Sequence, residues 1–506
     1  MSASHQPGGT RTETRAQKKE KLDPRVWRVA GVAALGPLIT NIDSTVVNVS
    51  LSALGQDLHA RLTTLQWVIT GYLLALALML PLSGWLVDRC GAKRVYIGCF
   101  SAFTFASLLC GISSSAHGLI AARVLQGMAG GLLAPMAQMM VAREAPHHIA
   151  RVMSVMTIPI ILGPIFGPSL AGLILQRASW HWTFFINLPI GLVAVLLAAW
   201  ILPSDSTGKH RRSFDIIGFL LISPGLVLLL YSLEALSSDP TAQSRNILLL
   251  IGSLTLLAAF ARHAIRRGPA ALVDLQLFRE PSFRASASTQ FLVNGLSLGS
   301  QMLIPLYLLT VLHLSPSRVG LLLASSGFGA LCAYPWMGTI TERFGSRRVS
   351  ATGALIALLA SLTLAAVPPS SLAEWLICLI LFVRAVGMSS ISIPSITAAY
   401  SSIPKAAVPV ATTAMNIVQR IGGPVATTII AIFLHRRVTT KISTGNLLTA
   451  GPDAAAFTAT LWLLCAWNAL IFLAALRLPM RATSKAGTHP QASALLAELA
   501  EVGEGT

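Results

Sequence analysis

Apolar residues fall in blocks of about 20, separated by short breaks rich in charge, proline or glycine, along almost the whole chain. A helix rises about 1.5 Å per residue, so each block suffices to cross about 30 Å of hydrocarbon. Fourteen spans follow, near 27–51, 65–87, 95–114, 118–142, 151–175, 183–202, 215–234, 246–262, 286–312, 319–340, 349–368, 372–397, 407–434 and 455–478. The eighth is short. The pattern predicts an all-α integral membrane protein with 14 transmembrane helices.

Composition agrees: 54% of the 506 residues are hydrophobic and 11% charged, against about 25% charged in a soluble domain. The mean hydropathy is +0.69. The net charge of +18 could point to nucleic acid, but the 37 Lys and Arg are spread through short loops rather than gathered on one domain. With a cytoplasmic N-terminus, inner segments carry 27 of them, outer loops seven, and three lie within spans (Arg123, Arg384 and Arg420). That asymmetry predicts a multi-pass protein of the inner (plasma) membrane with both termini cytoplasmic and no nucleic-acid partner. Residues 1–26 are polar and basic and lack the apolar core of a cleavable signal, so the first span is expected to act as its own signal.

Six cysteines (Cys90, Cys99, Cys110, Cys332, Cys378 and Cys465) form no CxxC pair and have no His at ligand spacing, so no metal site is expected. GxxxxGK[ST] and HExxH are both absent. An ATP-driven pump and a membrane zinc protease are thereby disfavoured, and no cofactor is expected.

An internal repeat organises the chain. Gly84-x3-Asp88-Arg89-x-Gly91-x-Lys93-Arg94 follows the second span, and Gly338-x3-Glu342-Arg343-x-Gly345-x-Arg347-Arg348 follows the tenth, 254 residues later. One such segment is most often an ordinary positive inner loop, but two copies imply related halves. The expected organisation is an N-terminal tail (1–26), a six-helix bundle (27–202), a linker carrying helices 7 and 8 (203–285), a second six-helix bundle (286–478) and a C-terminal tail (479–506). Gly84 and Gly338 would let helices approach closely, and the loop acids and their basic neighbours could form ion pairs that hold one gate state and break in the other.

These residues resemble the major facilitator superfamily, and within it the 14-helix drug:proton antiporters of the EmrB/QacA type. The likeness covers nearly the whole chain. The Gly84 to Arg94 loop is similar to the superfamily's loop after helix 2, and Asp43-Ser44-Thr45-x2-Asn48 to the helix 1 signature of the 14-helix group. Arg123-x2-Gln126-Gly127-x2-Gly130 resembles the helix 4 motif, and Gly163-Pro164-x2-Gly167-Pro168-x3-Gly172 the helix 5 motif of exporters. Trp180 to Gly191, with Asn187 and Pro189, resembles the start of helix 6. The chain departs from the family pattern at Ser50 and Ser52, at Glu342, and in Arg384-x2-Gly387, one residue shorter than Arg123-x3-Gly127. The resemblance implies a major facilitator fold and proton-driven export of amphipathic drugs or related small molecules by alternating access. A periplasmic adaptor and an outer-membrane channel accompany some relatives, whereas others act alone.

Asp43 is the one acid well inside a span, and a charge at mid-bilayer costs about 2.5–3.5 kcal/mol on insertion scales. Such a residue more often serves function than structure, and Asp43 is the candidate proton carrier. On helical spacing, Asn41, Ser44, Thr45 and Asn48 share one direction and Thr40, Asp43 and Ser50 the opposite one, so span 1 should line a cavity. Asp43 lies about 12 Å and Arg123 about 8 Å from the outer ends of their spans. They could meet, with Arg123 releasing Asp43 to protonate as the gate changes state; the plainer reading has Arg123 packing on carbonyls. Arg384 and Arg420 fall near mid-membrane and, if they face the cavity with Asn41, Thr45 and Asn48, would favour anionic, zwitterionic or neutral substrates. Bonding to backbone, remote from substrate, fits those arginines equally well. Trp67, Tyr72, Phe291 and Tyr307 are aromatic candidates for stacking, although packing is the commoner role.

Two other functions fit less of the sequence. An importer would use the same architecture, and a membrane-embedded transferase would need a His, Asp or metal constellation that the sequence does not offer; His147-His148 has no partner motif.

Overall fold

Hydrocarbon offers backbone N–H and C=O groups no partner, so apolar segments of this length fold as helices that satisfy themselves. The structure, a computed structural model, describes residues 23–146, 148–204, 213–238, 243–367, 373–443 and 452–480. It contains 14 helices long and apolar enough to span a membrane: α1 (Pro24–Asp57), α2 (Thr63–Cys90), α3 (Ala92–Gly111), α4 (Ala116–Glu144), α5 (Ile149–Arg177), α6 (Trp182–Ile201), α7 (Ile216–Ser237), α8 (Gln243–Ala270), α9 (Pro281–Thr310), α10 (Pro316–Phe344), α11 (Ser346–Ala366), α12 (Glu374–Ser401), α13 (Val408–Val438) and α14 (Ala454–Ala475). No strand occurs among the described residues. An even number of crossings puts both described ends at one face, the terminal face. Of the two expected tails, residues 1–22 and 481–506 lie outside the described residues, as does His147.

The eighth helix is longer than its hydropathy suggested, running 28 residues from Gln243 to Ala270. Arg262, His263, Arg266 and Arg267 interrupt the apolar run, but a helix needs no apolar side chains once it leaves the hydrocarbon. Its basic end emerges at the terminal face, where Asp215, just before α7, accepts hydrogen bonds from His263 Nε2 (2.8 Å) and the amides of Gly218 (3.0 Å) and Leu272 (3.2 Å). Arg267 Nη1 lies 3.3 Å from the same carboxylate.

Helices α1–α6 and α9–α14 form two bundles with the same pairing of helices. In the first, α2 and α3 pack on α4, α5 on α1, and α6 on α3; in the second, α10 and α11 pack on α12, α13 on α9, and α14 on α11. The inserted α7 and α8 pack on each other, and α7 also touches α2 and α13, one helix from each bundle. Adjacent α7 residues make those ties: Thr428 Oγ1 donates to the Leu233 carbonyl at 2.8 Å and Thr70 Oγ1 to Glu234 Oε1 at 3.5 Å. These are the two matching six-helix bundles and inserted helical pair that the resemblance implies.

Candidate functional site

Two glycines one turn apart set the position of Arg123. A Cβ at Gly127 would strike the Tyr72 carbonyl, and one at Gly131 would stand 3.0 Å from Leu76 Cα, so only their absence lets α4 lie this close to α2. Arg123, one turn before Gly127, is carried under α2: its Nε donates to the Val68 carbonyl at 3.2 Å and its guanidinium carbon lies 4.0 Å from the centre of the Tyr72 ring.

From there Arg123 Nη1 reaches Asp43 Oδ2 at 2.5 Å and Gln126 Oε1 at 2.6 Å. Gln126 Nε2 donates to Asp43 Oδ1 at 3.0 Å, and Asn187 Nδ2 donates to the same oxygen at 2.7 Å. Asn187 also bonds Ser107 Oγ at 3.0 Å. Asp43 is fully buried and Arg123 is 1% exposed. Three donors and no acceptor surround the carboxylate, the pattern an ionised acid takes. The two residues estimated to come near each other from helix depth are in direct contact.

Asn187 is the member that sequence reasoning left without a role. Its motif was visible, but its contact with Asp43 joins residues 144 apart. A close fit of α6 on α3 makes the contact, since a Cβ at Gly111 would meet the Phe185 ring and one at Gly191 would meet Thr104.

The terminal face is closed by the repeated loops. A Cβ at Gly84 would lie 3.2 Å from the Pro409 carbonyl oxygen, and one at Gly338 would lie 2.7 Å from that of Ala150, so each glycine of the repeat packs on the other bundle. Ser83 Oγ sits 2.7 Å from Thr413 Oγ1, which also accepts from the Gly84 amide at 3.1 Å. One layer further in, Tyr400 OH (3.0 Å) and Asn416 Nδ2 (2.9 Å) both donate to Gln138 Oε1. Among the described residues, the direct hydrogen bonds between bundles gather at this end. The loop acids also reach helix ends: Asp88 forms an ion pair with Arg143 (3.8 Å) inside the first bundle, and Glu342 Oε1 lies 3.2 Å from His148 Nδ1 across the bundles. Arg89 and Arg343 lie over the rings of Trp85 and Phe344. The Arg347 amide donates to the Pro479 carbonyl at 3.3 Å, and Arg94, beside Lys93, sits in the first turn of α3. Gly91 and Gly345 adopt φ of 88° and 82°, so both copies turn the same way.

The sequence model of the Major Facilitator Superfamily matches residues 33–427, most of the chain. The protein belongs to that superfamily. A multidrug resistance protein B homolog of Mycobacterium tuberculosis is 36% identical over 69% of this chain and 65% of its own length. The chain thus spans less than two thirds of that relative's length. The MdtD protein of Yersinia enterocolitica, likewise named for multidrug resistance, is 31% identical over 66% of this chain and 70% of its own. Among solved structures, the human organic anion transporter MFSD10 aligns over 90% of this chain and 100% of its own with a TM-score of 0.61 at 15% identity. The proton:xylose symporter XylE aligns over 89% and 94% with a TM-score of 0.59 at 14% identity. At these identities the structures speak for the fold alone. The chain is a multi-pass membrane protein of that superfamily.

Other predicted positions of this superfamily member divide by environment. On α1, Asp43 and Ser50 are buried, Asn41 and Thr45 half-buried and Asn48 exposed. Gly163 and Gly167 of α5 form a cradle for α1: a Cβ at Gly163 would lie 3.1 Å from Asn41 Cβ, and one at Gly167 2.8 Å from Thr45 Cβ. A Cβ at Gly130 would lie 3.3 Å from Thr40 Cγ2 and from the Tyr72 hydroxyl, whereas one at Gly172 would meet nothing within 4 Å, and Pro168 is exposed. Pro164 lies outside the residues described in side-chain detail. Arg384 points into the second bundle, donating to Ser300 Oγ and, at 3.2 Å, to Ser361 Oγ, which removes it from the cavity wall. Arg420 is exposed. Tyr307 is buried beside Phe457 and Trp67 stacks on Tyr231, so both aromatic rings pack on protein.

Proposed function

We propose that this protein is a proton-coupled antiporter of the inner (plasma) membrane that exports amphipathic drugs or related small molecules by alternating access, with both termini cytoplasmic. It uses no cofactor, and the proton gradient supplies the energy. Residues 27–202 and 286–478 are the moving halves.

The observation that carries the reading is the Asp43–Arg123 pair, fully enclosed in the membrane-spanning part of the first bundle. A buried pair is a poor source of stability, because desolvation offsets much of its attraction. It is a good switch, since separating the partners leaves a charge that a proton on Asp43 neutralises. Helix α5 offers the mechanical link. Its first turn packs on Gly338 at the closed face and its middle cradles α1 at Asn41 and Thr45, flanking Asp43. Gate opening that moves α5 would shift α1 and draw Asp43 from its donors. Protonation would favour that state, and release of the proton would re-form the pair and close the face again.

Relatives named for multidrug resistance support export as the direction and amphipathic drugs as the cargo. The test is purified protein in proteoliposomes with an imposed pH gradient and a panel of amphipathic dyes. Wild type should move dye against its gradient only when a proton gradient is present, and Asp43→Asn should lose the uphill component while retaining downhill exchange. Uphill transport by Asp43→Asn would sink the proposal. Copurification of an adaptor or outer-membrane channel after cross-linking in cells would decide whether the protein works within a larger assembly.

A further inference from the structure

Positive charge inside the membrane exceeds what the structure uses. Arg123 is taken up by Asp43, and Arg384 by two serines of the second bundle. Arg420 is different: among the described residues, no hydrogen bond or ion pair holds it, and its side chain is exposed. An unpaired guanidinium is costly in hydrocarbon, so its surroundings must be polar or aqueous.

Its helix face fixes which space it occupies. Thr413, Asn416 and Arg420 follow one another at helical spacing along a single stripe of α13. Thr413 bonds Ser83 and Asn416 bonds Gln138, both in the first bundle. Arg420, one turn beyond Asn416, therefore faces the same way, into the space between the bundles. It stands about 18 Å along α13 from the terminal face, near mid-membrane. The layer of Gln138, Asn416 and Tyr400 is its floor. From the first bundle, Tyr72 lies within electrostatic reach of the guanidinium, and its buried hydroxyl has no hydrogen-bond partner. A buried hydroxyl without a partner is uncommon enough to require a reason.

We infer that Arg420 is the anchor of an anion-binding subsite in the translocation cavity, taking a carboxylate, sulfonate or phosphate oxygen of an amphipathic substrate while the Tyr72 hydroxyl supplies a second donor. The planar fork of arginine matches the paired oxygens of such groups. Asp43, the acid well inside the membrane, is enclosed by three donors and does not compete for Arg420. This rests on the exporter reading above and adds the charge class of its cargo.

The test uses the full-length protein in phosphatidylcholine nanodiscs, with empty discs as the background. Equilibrium binding is measured for radiolabelled cholate, for its uncharged methyl ester and for tetraphenylphosphonium. Wild type should bind cholate at least about tenfold more tightly than the ester. Arg420→Gln should erase that difference while leaving ester affinity unchanged, Arg420→Lys should keep most of it, and Tyr72→Phe should lower cholate affinity about threefold. Equal affinity of wild type for cholate and its ester, a preference for the phosphonium, or a uniform loss of all three ligands in Arg420→Gln overturns the inference. Thermal unfolding and the intact behaviour of Arg420→Lys separate a lost site from a lost fold. Binding needs no gradient, so charge-selective binding without proton-driven transport counts against the exporter reading alone. Proton-driven transport without charge selectivity counts against the subsite alone.

Discussion

Ser83 Oγ and Thr413 Oγ1 stand 2.7 Å apart although 330 residues separate them. The pair joins the end of α2 to the start of α13 at the closed face, so any state open to that side must part it. Cysteines at both positions, with exposed Cys90 and Cys332 replaced by serine, should form a disulfide under mild oxidation. The expected result is loss of dye transport on oxidation and recovery with reductant. Undiminished transport by the cross-linked protein would show that this face need not open.

Gly338 sits where no side chain fits. A Cβ would overlap the backbone of Arg151 and lie 2.6 Å from Ser154 Oγ, and backbone does not yield cheaply. Gly338→Val should therefore block closure of the terminal face and lower transport more than tenfold, with thermal stability changed far less. Gly84→Ala should be milder, since its tightest contact is the Thr413 hydroxyl at 3.0 Å. Reaction of a cysteine at Gln138 with a membrane-impermeant maleimide added from the terminal side reports closure directly, and should be fast only in the Gly338 variant.

The fold was legible because lipid imposes a length and hydrophobicity on each crossing. The repeat was legible because closure uses the same glycine twice. What the sequence hid were contacts between distant residues. Asn187 looked like a motif residue of helix 6 until α6 placed it on Asp43. Arg384 and Arg420 looked equivalent at similar depths, yet one faces serines within its own bundle and the other the space between bundles, which depth does not determine. The contacts of Asp88 with Arg143 and of Glu342 with His148 reach helix ends outside the motif, which the loop sequence by itself does not specify.

The enclosure of Asp43 predicts a graded series. Arg123→Ala leaves a buried carboxylate without its charge partner and should cost about 3–5 kcal/mol of stability. Asn187→Ala removes one donor of three and should cost about 1–3 kcal/mol. If the donors restrain proton uptake, Asn187→Ala should also shift the pH dependence of dye transport while Ser107→Ala leaves it in place. Thermal unfolding in detergent and transport measured across pH check both. Equal profiles for wild type and Asn187→Ala would confine Asn187 to packing.

Asp215 ties the inserted helices together at the terminal face and lies outside the membrane-spanning segments. It is 1% exposed, and burial alone would disfavour its charge. Hydrogen bonds from the Gly218 amide, His263 and the Leu272 amide outweigh that penalty and hold the carboxyl below its usual range. A group whose value is depressed by folding stabilises the fold above its unfolded value and loses that contribution as pH falls through the folded one. Asp215→Asn should thus lower stability by about 1–3 kcal/mol near neutral pH. The gap from wild type should narrow as pH drops through and below the ordinary carboxylate range. Thermal melts of both proteins across pH give the comparison. A gap that stayed constant in acid would mean that Asp215 acts through shape and hydrogen bonding rather than through its charge.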